Sequence, residues 1–373
     1  MGNKMTQELT PVQQERLQEK QTRYTQPAFL TQLGFVVVLA LTPLFIPSFR
    51  VMDVVAKIMI FTVVVASYDL LLGYTGIFSL AHGMFFGIGA YSVALIIHHS
   101  GAAHWYHLIL AILVAVGLSV SLSLVITFFS LRVKAIFFAM MTLALAEFAD
   151  ILAVTWYDLT LAEDGVSFSL PGIFNVNWSA GKFLVADING RLMTYYLILI
   201  ISALLFTGIL RFVRSPVGRV LKSIRDNEQR STALGFKTLR YQVLSTVFSS
   251  AIASFAGILF AMWLRFVNPT SVLSINPLML SILLMLIIGG MGTLYGAIIG
   301  AAFIMIIETW LPELQKLGEA LFPNLEFAQR LVGRWELYFG ILFILVVFFF
   351  PKGFVGTARN MLAQRKIVSS ESK

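Results

Sequence analysis

The residues able to do chemistry in this chain are few, and most of them sit in or beside apolar runs. Asp53 and Lys57 are spaced i, i+4, so on a helix each can neutralise the other. Asp69, His82, Glu147, Asp150 and Glu308 lie within or at the ends of apolar runs. An ionisable group at membrane depth marks a route for cargo or protons by default, and a group near the end of a span can also snorkel to the interface. Asp69, Asp150 and Glu308 are near enough to span ends to snorkel, while Glu147 lies deeper. His98, His99, His104 and His107 fall in one short segment, and solvated interfacial histidines explain them better than a metal site. No His, Asp and Glu have metal-ligand spacing, and no serine, histidine and acid are placed for hydrolysis. With no cysteine there is no disulfide and no thiolate metal site.

Two glycine-rich stretches stand out. One runs from Gly73 to Tyr91 (GYTGIFSLAHGMFFGIGAY), the other from Gly289 to Gly300 (GGMGTLYGAIIG). One lies in each half of the chain, and each interrupts an apolar segment. Glycine bends a backbone and lets helices approach closely. Paired interruptions in two halves also point to a repeat around a central translocation site. No lysine follows either stretch in the phosphate-loop arrangement, so they do not bind nucleotide. Polar groups and backbone breaks at this depth nominate Thr75, Ser79, His82, Thr142, Glu147, Gly289, Gly290 and Gly292 as pathway residues.

The elements that position these residues follow from composition. Of the 373 residues 58% are hydrophobic and 12% charged, against about 25% charged in a soluble domain. Ten apolar spans are expected, near 30–47, 51–72, 78–98, 106–130, 135–156, 193–213, 241–264, 277–290, 293–311 and 335–350. The eighth and tenth are short for a full crossing of about 20 residues, so they are candidates for broken or re-entrant segments. The fold class is an all-α polytopic membrane bundle, because backbone in lipid must satisfy itself. Most Lys and Arg then fall on the inner side, which places both termini in the cytoplasm. The net charge of +8 needs anionic lipid as its partner and no nucleic acid. Residues 1–27 form a polar inner tail without a signal peptide, residues 28–351 the membrane domain and residues 352–373 a basic inner tail. The largest outer loop spans 157–192, and 312–334 has an amphipathic pattern suited to the outer surface.

A polar island, 214–240, breaks the chain in the middle. Ser215 is a hydroxyl N-cap and Pro216 occupies the first helical position, where a missing N–H costs nothing. Val217, Leu221 and Ile224 give the helix a narrow apolar stripe, and Gly235 stops it. The stripe has no lipid to face, so a protein partner is expected to cover it.

Three segments resemble the permease subunit of branched-chain amino acid ABC importers, specifically the LivM-type half of the pair. Gly73–Tyr91 is similar to that family's GYxGxxSLGHxxFFGIGAY, and Phe137–Glu147 (FFAMMTLALAE) to its YFAIxTLAFAE. Residues 215–235 resemble its cytoplasmic coupling loop, and Gly289-Gly290-Met291-Gly292 follows as expected. The resemblance implies a second related permease, two ATP-binding subunits, an extracytoplasmic substrate-binding protein and a prokaryotic cell membrane. The chain would bind no cofactor, with ATP held by the partner subunits. Ser215, Pro216, Val217, Gly218, Arg219, Leu221, Ile224, Arg225, Glu228 and Gly235 would form the ATPase-coupling element. Two departures bear on cargo. The family's outer TGGxDG reads Thr160-Leu161-Ala162-Glu163-Asp164-Gly165, and Ser281 replaces a carboxylate ahead of the GGxG turn. Related permeases carry urea, amides or aromatic acids. An ion-coupled secondary transporter is the alternative class, and it leaves the coupling-like loop unexplained.

Overall fold

The structure is a computed structural model that describes residues 34, 36–45, 48–101, 103–130, 135–175, 178–183, 186–321, 335–350 and 353–357. The expected tails at 1–27 and 352–373 and most of 312–334 lie largely outside the described residues. Among those residues, seven helices are long and apolar enough to cross a membrane. In chain order the apolar helices are α1 (Val36–Phe45), α2 (Phe49–Asp69), α3 (His82–Ser100), α4 (Trp105–Ser130) and α5 (Ala135–Thr155). After the short α6 (Tyr157–Thr160) come α7 (Gly190–Arg214) and, across the polar island, α10 (Thr238–Leu264). The short α11 (Pro269–Val272) leads into α12 (Leu280–Gly289), then α13 (Leu294–Leu321) and α14 (Trp335–Phe349). Helices α1 and α14 and the apolar part of α13, Leu294–Trp310, are shorter than a full crossing.

Helix α2 is the centre of the bundle: 89% of its apolar window is buried inside the chain, against 28% for α4 and 22% for α5. Helices α4 and α5 therefore present broad apolar faces outward, with Ile136, Phe137, Met140, Phe148 and Ile151 all exposed. Helices α3 and α10 meet backbone to backbone. A Cβ added at Gly89 would strike the Ser254 carbonyl, and one at Gly257 the Phe86 carbonyl. Small residues at such crossings let dispersion and close packing hold helices together where lipid removes the hydrophobic drive.

The chain breaks where its glycines lead one to expect it. Helix α2 widens into a π-helical turn, Leu70–Thr75, and ends at Gly76 with φ of 78°. The backbone then runs non-helical until α3 starts at His82. Such backbone is tolerated in a membrane protein only if its polar groups find partners inside the protein. Ile77 N–H donates to the Leu71 carbonyl (2.9 Å), and Leu80 N–H donates to the Thr142 hydroxyl of α5 (3.1 Å). A second irregularity begins just before the expected eighth span of 277–290, inside a longer apolar segment, Pro269–Gly289. Between α11 and α12 lies a π-helical turn, Ile275–Met279, in which Asn276 is non-helical.

The outer loop departs from the all-α expectation. It carries short strands β1 (Val166–Ser167), β2 (Ser179–Phe183) and β3 (Ala186–Asn189). β2 pairs with β3, and β1 pairs antiparallel with β4 (Phe266–Val267), the segment that follows α10.

Candidate functional site

The polar island folds as two helices, where one was expected. Helix α8 (Pro216–Asp226) is capped by the Ser215 hydroxyl, which accepts from Gly218 N–H at 3.4 Å. Asn227 ends α8 and caps α9 (Glu228–Ala233), accepting from Arg230 N–H at 2.8 Å. Gly235, with φ of 91°, closes α9 and not α8. Asn227 is legible as a cap type, and the apolar stripe ends just before it at Ile224, but Gly235 is the stronger stop signal. Glu228 accepts from the Gln242 amide at 3.3 Å and ties α9 to the start of α10.

The stripe on α8 has a different occupant from the one expected. Leu221 and Ile224 are 0% and 3% exposed, and Val217 is half-buried. Leu221 and Val217 join the core of this chain, Ile224 is buried, and α8 lies against the π-helical turn after α2 and the end of α7, so these side chains are not free docking anchors. The physical reason is local. Gly218 sits on the Val213 carbonyl with no room for a Cβ, which folds α8 back under the bundle. The face left in solvent carries Arg219, Lys222, Glu228 and Arg230, with Leu234 68% exposed.

Helix α8 holds both glycine breaks. The Arg225 guanidinium Nη1 donates to the Gly73 carbonyl inside the π-helical turn. Lys222 Nζ lies 4.9 Å from the centre of the Tyr74 ring. On the other side of Gly73, Gly292 N–H donates to Asp69 Oδ1 at 2.7 Å. A Cβ at Gly73 would collide with both Asp69 and Gly292 N, so glycine is required for the two turns to meet. Gly290 and Gly292 have φ of 109° and 77°, and the Thr293 hydroxyl donates to the Gly290 carbonyl at 2.6 Å. The Gly289–Gly292 turn therefore sits at the end of the bundle that carries the polar island.

The other nominated pathway residues divide into two places. Thr75, His82 and Thr142 are buried in the seams around α2 and α3, and Ser79 is buried beside them. Thr75 Oγ1 donates to the Leu70 carbonyl (2.8 Å) and lies 3.1 Å from Ser245 Oγ. His82 Nε2 lies 2.8 Å from Ser67 Oγ, and the Ser249 hydroxyl donates to the Ser67 carbonyl at 2.5 Å. Sequence reasoning missed Ser245 and Ser249. Their i, i+4 spacing in a span that also carries Thr246, Ser250 and Ser254 was the available signal. Glu147 stands apart, exposed on α5 beside Asp150.

At the opposite end, Lys57 and Asp53 pair at 2.8 Å, and Trp263 Nε1–H donates to Asp53 at 2.8 Å. Ser281 donates to Glu308 at 3.4 Å, which places a carboxylate from α13 beside the position where the resembled family carries its own. Leu161 and Ala162 have φ of 56° and 49°. The backbone there adopts the left-handed form natural to the glycines of TGGxDG, with larger residues in their place. Arg265 bonds the Phe174 carbonyl at 2.8 Å, and burial together with nearby Arg191 lowers its pKa from the ordinary value. His107 is buried against Tyr106, ring centres 4.0 Å apart, and so is not one of a solvated set. Among the described residues no three His, Asp or Glu are grouped to hold a metal. A cavity of about 280 Å³ between α1, α2, α7 and α13 is apolar, lined by residues such as Leu39, Met59, Leu199 and Phe206, and holds none of the nominated pathway residues.

Residues 50–350 match the family of branched-chain amino acid transport system permease components. The chain belongs to this family. Among its relatives is the high-affinity branched-chain amino acid transport system permease protein LivM of Salmonella typhimurium. It is 26% identical over 335 residues, covering 86% of this chain and 73% of the relative. The LivM protein of Escherichia coli K12 is 28% identical over 295 residues, covering 75% of this chain and 67% of the relative. The LivH permease of the same organism is 25% identical over 152 residues, covering 40% of this chain and 48% of LivH. No solved structure matches the chain.

Proposed function

We propose that this chain is one of two membrane subunits of an ATP-driven importer for branched-chain amino acids. It spans the membrane ten times with both termini in the cytoplasm. The second subunit is a related permease of the LivH kind, one of two ATP-binding subunits docks on the α8–α9 face, and an extracytoplasmic binding protein delivers cargo. ATP is hydrolysed on the partner subunits, and this chain is not itself an enzyme.

The observation that carries this reading is the grip of α8 on both glycine turns. A force applied to α8 reaches Gly73 through Arg225, and reaches the α12–α13 turn through Asp69 and Gly292. That is the connection a permease needs if ATP-driven motion at one end is to move broken helices. A transporter driven by an ion gradient has no use for it. The experiment is uptake of radiolabelled leucine into proteoliposomes that hold the full complex and its binding protein. Uptake that requires internal ATP, and survives collapse of ion gradients, is the expected result. Uptake that follows an ion gradient without ATP would refute the reading.

A further inference from the structure

Two carboxylates on α5 lie where a bilayer does not tolerate them unaided. Glu147 and Asp150 are spaced i, i+3, on one side of a helix whose apolar window is only 22% buried. At 1.5 Å per residue they lie roughly 12 Å and 7 Å inside the outer end of the helix at Thr155. Glu147 is exposed between Phe148 and the apolar face bearing Ile151, and it is close enough to Asp150 for the two charges to interact. Among the described residues neither carboxylate forms an ion pair with Lys, Arg or His.

A third group faces the same place. Tyr91 of α3 is 7% exposed, and its hydroxyl has no hydrogen-bond partner although it is buried. It lies within electrostatic reach of Asp150, whose own Oδ1 is buried and unpartnered. A buried phenol oxygen and a buried carboxylate oxygen on facing helices, neither hydrogen-bonded, leave acceptor capacity that a donor could fill. The outer end of α5 packs under the α6 segment and the turn that follows it, so the two carboxylates lie on the α6 side of the helix's midpoint.

We propose that Glu147, Asp150 and Tyr91 form a station that receives the α-ammonium group of the cargo amino acid. The assignment rests on the proposed import of amino acids and adds to it the group that is recognised inside the membrane. An ammonium offers three donors, and the two carboxylates and the phenol oxygen offer acceptors for all of them. The apolar flank of α5 suits the side chain of a branched-chain cargo.

The test uses the assembled complex. Dicyclohexylcarbodiimide modifies carboxyl groups in apolar surroundings, and peptide mass spectrometry reads the modification at Glu147 and Asp150. Leucine and isoamylammonium should each slow it roughly tenfold, the value of one charge-assisted hydrogen bond. The carboxylate 4-methylpentanoate should not. Glu147→Gln, isolated as a complex at normal yield, should lose about tenfold in leucine uptake. Equal protection by 4-methylpentanoate, protection by neither amine, or full uptake by Glu147→Gln would overturn the assignment. So would a site already blocked in the complex before cargo is added, which would mark a cationic side chain of the sister subunit as its partner. Absence of leucine import by the unaltered complex, with amine-selective protection intact, would sink the cargo reading and leave the cation site standing.

Discussion

Arg225 and Gly73 are 152 residues apart in the chain, yet the guanidinium of one donates to the carbonyl of the other. The bond joins a helix in the polar island to the point where the central membrane helix loses its α-helical winding. Asp69, one turn before Gly73, accepts from Gly292, 223 residues away. Three segments that read as separate motifs thus form one junction.

The junction gives the first prediction. Arg225→Gln removes the charged donor and keeps a long polar side chain at a position that is 41% exposed, so α8 should stay folded. ATP-driven uptake should fall by tenfold or more, the equivalent of about 1.5–3 kcal/mol for a hydrogen bond to a charged group. The ATPase subunits should still co-purify. Normal uptake would show that the bond does not transmit force.

Gly73→Ala should be more severe than Arg225→Gln. The new Cβ has no space between Asp69 and Gly292, and what must move is backbone as well as a carboxylate. The expected result is a permease with a lower thermal stability in detergent and no uptake. A variant as stable and active as the parent would mean that the two turns separate freely.

The stripe on α8 shows where sequence reasoning stopped short. Ser215 and Pro216 announce a helix start by local chemistry, and a helix does begin at Pro216. Gly76, Gly290 and Gly292 announce breaks, because a positive φ is easy only for glycine, and the chain breaks at all three. Which surface an amphipathic stripe faces is not a local property. Val217, Leu221 and Ile224 would read the same whether they met a partner or the underside of their own bundle. The meeting of Gly73 with Gly292 and Arg225 was equally invisible, since nothing in either glycine stretch names its partner. The exposed position of Glu147 on α5, while Thr75, Ser79, His82 and Thr142 are buried, depends on the same long-range packing.

That distinction changes the expected outcome of a charge placed on α8. Leu221→Asp puts a carboxylate at a position that is 0% exposed inside the chain. An unpaired buried charge costs several kcal/mol, of the order of 3–5 where a buried pair is broken. The permease should fail to fold or be cleared from the membrane, and loss of the ATPases would be secondary. Leu234→Asp, on the open face of the loop, should instead leave a well-inserted permease that no longer retains the ATPases. Co-purification, with yield as the control, separates the two. If Leu234→Asp retained its partners fully, the docking face would lie elsewhere.

Topology is tested by cysteine labelling, which the absence of native cysteine makes simple. Gln229 is exposed on α9, and Asn175 lies in the loop between α6 and α7 that is proposed to face outward. Single cysteines at the two positions should react with a membrane-impermeant maleimide from opposite sides. Reaction of both from outside would remove the proposed orientation.

Leu161 and Ala162 supply the last prediction, and its sign depends on magnitudes. An L-residue in the left-handed region costs about 1–2 kcal/mol, which glycine avoids. Glycine gives back roughly 0.5–1 kcal/mol through the greater freedom of its unfolded chain. At Ala162, φ 49°, little side chain is lost, so Ala162→Gly should stabilise the permease by about 0.5 kcal/mol. At Leu161, φ 56°, the half-buried side chain packs against the core. Full burial of a leucine is worth about 1.5–3 kcal/mol, so losing even half of that cancels the relief of strain. Leu161→Gly should therefore be neutral or destabilising. Thermal unfolding of the two variants in one detergent would show a small rise for the first and none for the second. A large gain from Leu161→Gly would mean that its side chain contributes nothing to the outer end of the bundle. A loss from Ala162→Gly would mean that this turn has relaxed out of the left-handed region.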